Sequence, residues 1–194
     1  MPGEDERLPI KTLIILQLLL TAVGYLLVRF FYAPAPAHLW WRPGEILQNV
    51  RWGFLGALIL FFPAGLYARY RPQELFKAVK PLLSVCRHSI SVLLLISFLA
   101  GLGEELLFRA FLQRLLGLAP AAVLFMLAHA GFWAVPPRSQ ARILFAPFTL
   151  AAGLILGLLA REIGLISAII AHFLYDLGAF YLLKAKFVES SPKY

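Results

Sequence analysis

Residues 88–116 read HSISVLLLISFLAGLGEELLFRAFLQRLL. Residues 89–103 carry no charge, and the apolar pattern then runs on around Glu104, Glu105 and Arg109 as far as Leu112. A stretch of this length fits the roughly 20 mostly apolar residues that cross a hydrocarbon core. Placing an ionisable group at that depth costs about 3 kcal/mol or more, so such groups are rare and usually functional. The stretch therefore reads as a membrane span with a polar cluster inside it.

The rest of the chain agrees. Of 194 residues, 61% are hydrophobic and 14% charged, with a mean hydropathy of +0.80, against about 45–50% and about 25% for a soluble domain. One core cannot hide that excess, which excludes a water-soluble globule and a disordered chain. A single cysteine, Cys86, excludes a disulfide scaffold. The net charge of +8 is not organised as a basic stripe with interleaved aromatics, so it does not point to nucleic acid.

Charges and prolines divide the chain into about six spans: 10–28, 52–67, 88–116, 119–135, 143–160 and 163–183. The expected fold is an all-α polytopic transmembrane bundle, a single integral membrane domain over 1–194, with its site at membrane depth. Trp40 and Trp41, in the Pro- and Trp-rich stretch 33–42, read as interfacial anchors, and Pro136 and Pro137 as the end of the fourth span. The first span reads as a retained helix, because its leading MPGEDER is acidic and its apolar run is long for a signal core. With both termini cytoplasmic, twelve of the 18 Lys and Arg residues fall inside and six fall outside or in the membrane, as the positive-inside rule requires. The segment 69–87 contributes most to that count.

Besides Glu104 and Glu105, the ionisable residues inside apolar segments are His129, His172 and Asp176. Glu105 lies nine residues before Arg114, His129 ten after Ala119 and His172 ten after Glu162. At 1.5 Å per residue each stands roughly 13–15 Å from a polar end. All three ends share one side, so three helices present polar groups at one level near the midplane, slightly nearer the non-cytoplasmic face. That depth suits processing of secreted or surface proteins. Glu105 and Arg109 are four apart and share a helix face, as do His172 and Asp176, and Phe125 and His129. Glu104 and Glu105 diverge by about 100°, so one carboxylate can hold Arg109 while the other faces a cavity. Gly101 and Gly103 permit close helix approach or a local break. Gly153 and Gly157 form a GxxxG step suited to helix packing.

Three motifs carry a family resemblance. Glu104-Glu105-Leu106-Leu107-Phe108-Arg109 resembles the EExxxR motif of the CPBP intramembrane proteases, the family of type II CAAX-prenyl endopeptidases and bacteriocin-processing or immunity proteins. Phe125 to His129 resembles its FxxxH motif, and His172 to Asp176 its last motif, a His followed four residues later by Asn or Asp. The motifs fall in the family's order within a protease core over about 88–183. The resemblance implies a glutamate-dependent endopeptidase that hydrolyses a peptide bond near the end of a membrane-associated protein or peptide. By motif position, Glu104 and His129 would activate water, and His172 with Asp176 would stabilise the oxyanion. Glu105 and Arg109 would support them, and Phe125 would shape the pocket. Prenyl-protease members have Asn at the last position. Asp176, when ionised, cannot donate a hydrogen bond, so it either orients His172 or acts in its protonated form.

The chemistry can be argued from residue types as well. Cys86, Ser139 and Ser167 lack a convincing base, so water must attack, and a desolvated carboxylate is a competent base near neutrality. No cofactor is expected. Two His and a Glu leave zinc open as a variant of the site, although the HExxH helix is absent. The alternatives to a protease are a non-catalytic immunity or scaffold protein on the same fold and, last, a proton-coupled transporter. The implied partners are a membrane-delivered substrate and the lipid bilayer. A short multi-pass chain of this kind fits a bacterial or archaeal plasma membrane.

Overall fold

A computed structural model of the chain describes residues 10–32, 45–129 and 140–189. Among the described residues there are helices and short connections and no strand. Helix α1 spans Ile10–Phe31 and α2 spans Ile46–Tyr70. The short α3 (Pro72–Val79), a 3₁₀ turn (Lys80–Leu82) and α4 (Leu83–Cys86) follow at one end of the bundle. Helix α5 is Ile90–Leu116, α6 is Leu118–Ala128, α7 is Gln140–Glu162 and α8 is Leu165–Val188.

Helices α1, α2, α5, α7 and α8 are long and apolar enough to cross a membrane. They coincide with five of the six segments read from the sequence. The other, 119–135, corresponds to α6, whose 11 residues rise about 16 Å, roughly half a hydrocarbon core. It stops at Ala128, and His129 turns to extended backbone at φ −74°, ψ 125°. The stop predicted at Pro136 and Pro137 and the anchors Trp40 and Trp41 lie outside the described residues.

Two glycines make the hairpins. Gly117, at φ +91°, joins α5 to α6, and Gly164, at φ +145°, joins α7 to α8. Side chains rarely adopt such angles, so the chain can reverse sharply at these points. Both reversals lie at the end opposite α3. Helix α8 is the centre of the bundle and packs against α2, α5 and α7. At the α3 end, Lys184 donates to the His88 carbonyl at 2.9 Å and Lys186 to the Ala68 carbonyl, tying α8 to the neighbouring chain segments.

The outward faces are apolar. Leu16, Leu19 and Phe30 of α1, Phe54, Leu58 and Phe62 of α2, and Leu95 and Phe98 of α5 are exposed. Lipid is the solvent that such a surface matches. Inside, glycines set the spacing. A Cβ on Gly153 would stand 3.2 Å from Ala122 of α6, and one on Gly157 would meet Leu118 and Gln113, so the GxxxG step packs within the chain.

Candidate functional site

Two glycines fix α5 just before its acidic pair. A Cβ on Gly101 would stand 3.1 Å from the Phe173 nitrogen and 3.2 Å from the Ile169 oxygen of α8. A Cβ on Gly103 would stand 2.7 Å from Thr21 Oγ1 and 3.1 Å from the Thr21 nitrogen of α1. Glu104 and Glu105 are thus presented between two closely opposed helices. Directly after them, Leu106–Leu112 is wound as a π-helix. Such widened turns inside long helices recur at functional sites.

The two carboxylates have separate environments. Glu105 is fully buried. Its Oε2 accepts from Arg109 Nε at 3.1 Å, and its Oε1 lies 2.8 Å from His172 Nδ1. A carboxylate only accepts, so His172 Nδ1 carries the hydrogen and Nε2 faces the other way. Glu104 lines a cavity. Its Oε2 stands 3.8 Å from His129 Nε2 and 4.0 Å from His172 Nε2, and its side chain is 17% exposed. Asp176 Oδ2 is 3.6 Å from His172 Nε2.

The end of α6 positions His129. Its Nδ1 donates to the Phe125 carbonyl at 2.8 Å, which leaves Nε2 directed at Glu104. Phe125, buried at 2% exposure, joins the parts together. Its ring centroid lies 4.2 Å from that of His129, 5.8 Å from His172 and 5.2 Å from Phe108. Arg109 Cζ lies 4.7 Å from the same centroid, a cation–π distance.

All seven residues singled out from the sequence therefore meet: Glu104, Glu105, Arg109, Phe125, His129, His172 and Asp176. Three features were not read from the sequence. Glu105 bonds His172 across helices, α6 ends at the histidine, and the cavity takes polar lining from Gln17, Thr149 and Tyr175.

The cavity measures about 520 Å³ and is mostly apolar-walled. It runs from Glu104 and His129 to Leu13, Val79, Leu82 and Leu183 at the α3 end. The cavity extends toward the end that carries the basic segment 69–87. Among the described residues, no group of three or more His, Cys, Asp or Glu side chains is arranged to hold a metal ion. Cys86 is buried near the α3 end among Val85, Leu93 and Phe180, and burial pushes its thiol up to about 11. Ser167 donates to the carbonyls of Leu159 and Gly164, an N-terminal tie for α8. Ser139 lies outside the described residues.

Fold and site together define a polytopic helical membrane protein with carboxylates and imidazoles gathered inside its spans. The family model described as Type II CAAX prenyl endopeptidase Rce1-like matches residues 87–178, the stretch holding all three motifs. Over this stretch the chain is similar to the Rce1-like family, a protease family. No curated protein and no solved structure matches the chain.

Proposed function

We propose that the protein is an intramembrane endopeptidase in which Glu104 and His129 activate water to cut a peptide bond near the end of a membrane-delivered protein or peptide. The observation that carries this reading is the placement of Glu104 Oε2, 3.8 and 4.0 Å from two imidazole nitrogens inside a cavity. These gaps exceed a direct hydrogen bond and suit one bridging water. Glu105 is committed to Arg109 and His172, so it supports the site and does not act as the base.

The water oxygen attacks the scissile carbonyl carbon while Glu104 takes its proton, and His129 Nε2 holds the same water. His172, protonated on both nitrogens, donates from Nε2 to the developing oxyanion. Donors of this kind contribute about 3–4 kcal/mol. Asp176 keeps that nitrogen in place. Glu104 then passes its proton to the leaving amine as the C–N bond breaks. The step needs no metal.

The test is cleavage of a membrane-tethered substrate by the purified full-length protein. Glu104→Gln is expected to abolish cutting while the protein keeps its helical content. Normal turnover by that variant overturns the proposal and favours a non-catalytic scaffold.

A further inference from the structure

On the far side of Arg109 from the cluster lies a second cavity of about 490 Å³, between the α5–α6 and α7–α8 reversals. Arg109 lines it. The side chain is buried, its Nε is spent on Glu105, and Nη1 and Nη2 have no hydrogen-bond partner. The guanidinium lies over the Phe125 ring, and cationic donors left without hydrogen bonds are costly.

The surroundings are positive. Arg114 and Arg161 also line the cavity. Its one acidic lining residue, Glu162, is held by the adjacent Arg161 at 2.6 Å. Among the described residues no carboxylate pairs with Arg114, which lies over the Tyr32 ring at 5.1 Å. Helices α6 and α8 both begin at the cavity, at Leu118 and Leu165. Their unbonded first N–H groups and dipoles favour an anion there. Gln113 adds a buried acceptor: its Nε2 is bonded to the Gly157 carbonyl, and its Oε1 has no partner.

We propose that this cavity binds a phosphate anion between Arg109, Arg114 and Arg161, with Gln113 Oε1 accepting from a hydroxyl of the same ligand. The phosphodiester headgroup of an anionic lipid meets that chemistry at a membrane end, and inorganic phosphate meets its anionic part. Arginine forks suit phosphate oxygens, and a charge-assisted pair is roughly twice as strong as a neutral hydrogen bond.

The test uses the full-length protein in neutral detergent, with thermal unfolding followed during titration. Dioleoylphosphatidylglycerol should stabilise it, and dioleoylglycerol, which has the same chains without phosphate, should not. A matching rise with inorganic phosphate supports the anion site and identifies free phosphate as a sufficient source. The double variant Arg114→Gln/Arg161→Gln should weaken binding by about tenfold or more. Glu162→Gln should tighten it, because it frees Arg161, a gain that a merely structural role does not produce. Equal stabilisation by both lipids, unchanged affinity in the double variant, or weaker binding by Glu162→Gln overturns the proposal.

Discussion

Replacing Glu105 by glutamine should unfold the protein more readily than the same change at Glu104, although the two side chains are neighbours in sequence. Glu105 is fully buried and accepts from Arg109 at 3.1 Å and His172 at 2.8 Å. Removing one partner of a buried ion pair costs about 3–5 kcal/mol in soluble proteins. Between membrane helices single polar contacts measure lower, about 0.6 kcal/mol on average and up to about 1.7. One lost contact, a second weakened to a neutral acceptor and a guanidinium left without its carboxylate, whose Nη1 and Nη2 already lack partners, place Glu105→Gln at about 2–4 kcal/mol. Among the described residues Glu104 has no partner within hydrogen-bond distance, and it is partly exposed, so Glu104→Gln should stay within about 0.5 kcal/mol. Reversible unfolding in mixed detergent and denaturing micelles, followed by circular dichroism, measures both. Adding Arg109→Met to Glu105→Gln should recover part of the loss, because the buried charge leaves with its partner. Equal stability of the two single variants, or a larger loss at Glu104, would refute the division of labour between the carboxylates.

The glycine contacts predict opposite signs at different positions. Gly103→Ala and Gly101→Ala push α5 off α1 and α8 and should each cost about 1–3 kcal/mol in the same unfolding assay, whereas Gly65→Ala meets nothing within 4 Å and should gain up to about 1 kcal/mol from helix propensity. Cys86, with its thiol pushed up to about 11 by burial, stays protonated at every pH below that value. Maleimide labelling at pH 8 should therefore be far slower than for a free thiol until the protein is unfolded, and Cys86→Ala should retain cleavage; rapid labelling of the folded protein would contradict this.

Local spacing was the legible part of the site. The four-residue steps Glu105–Arg109, Phe125–His129 and His172–Asp176 follow from helical geometry, and all three bring their side chains together. The contacts that join helices were not legible in this way. Glu105 and His172 are 67 residues apart, and equal depth says that two groups can meet, not which atoms do. The expected stop for 119–135 is Pro136, whereas α6 ends at Ala128, where the His129 ring bonds the Phe125 carbonyl and lies against its ring. The π-helical turn has no Pro or Gly to announce it. It lies against α1, with the place of a Cβ on Gly24 3.0 Å from the Leu106 Cβ.

Depth also could not say how the cluster is reached. Glu104 lies 14 residues from Ile90 and 12 from Leu116, about 21 Å and 18 Å along α5, a position that favours neither face. What decides is the packing on each side. Toward Leu116 stand Phe108, Phe125 and the Arg109 guanidinium against the Phe125 ring, a layer held from within by Glu105. Toward Ile90 the wall of the cavity is Ala100 and Ile96 of α5, Gln17 and Leu13 of α1, and Ala179 and Leu183 of α8. The same glutamate–arginine pair that fixes His172 therefore separates this cavity from the arginine-lined one beyond it. The open end carries the segment 69–87, the end that the positive-inside expectation assigns to the cytoplasm. Under the proposed function, a substrate entering from the open end would reach Glu104 along an apolar wall and be stopped by the Arg109–Phe125 layer.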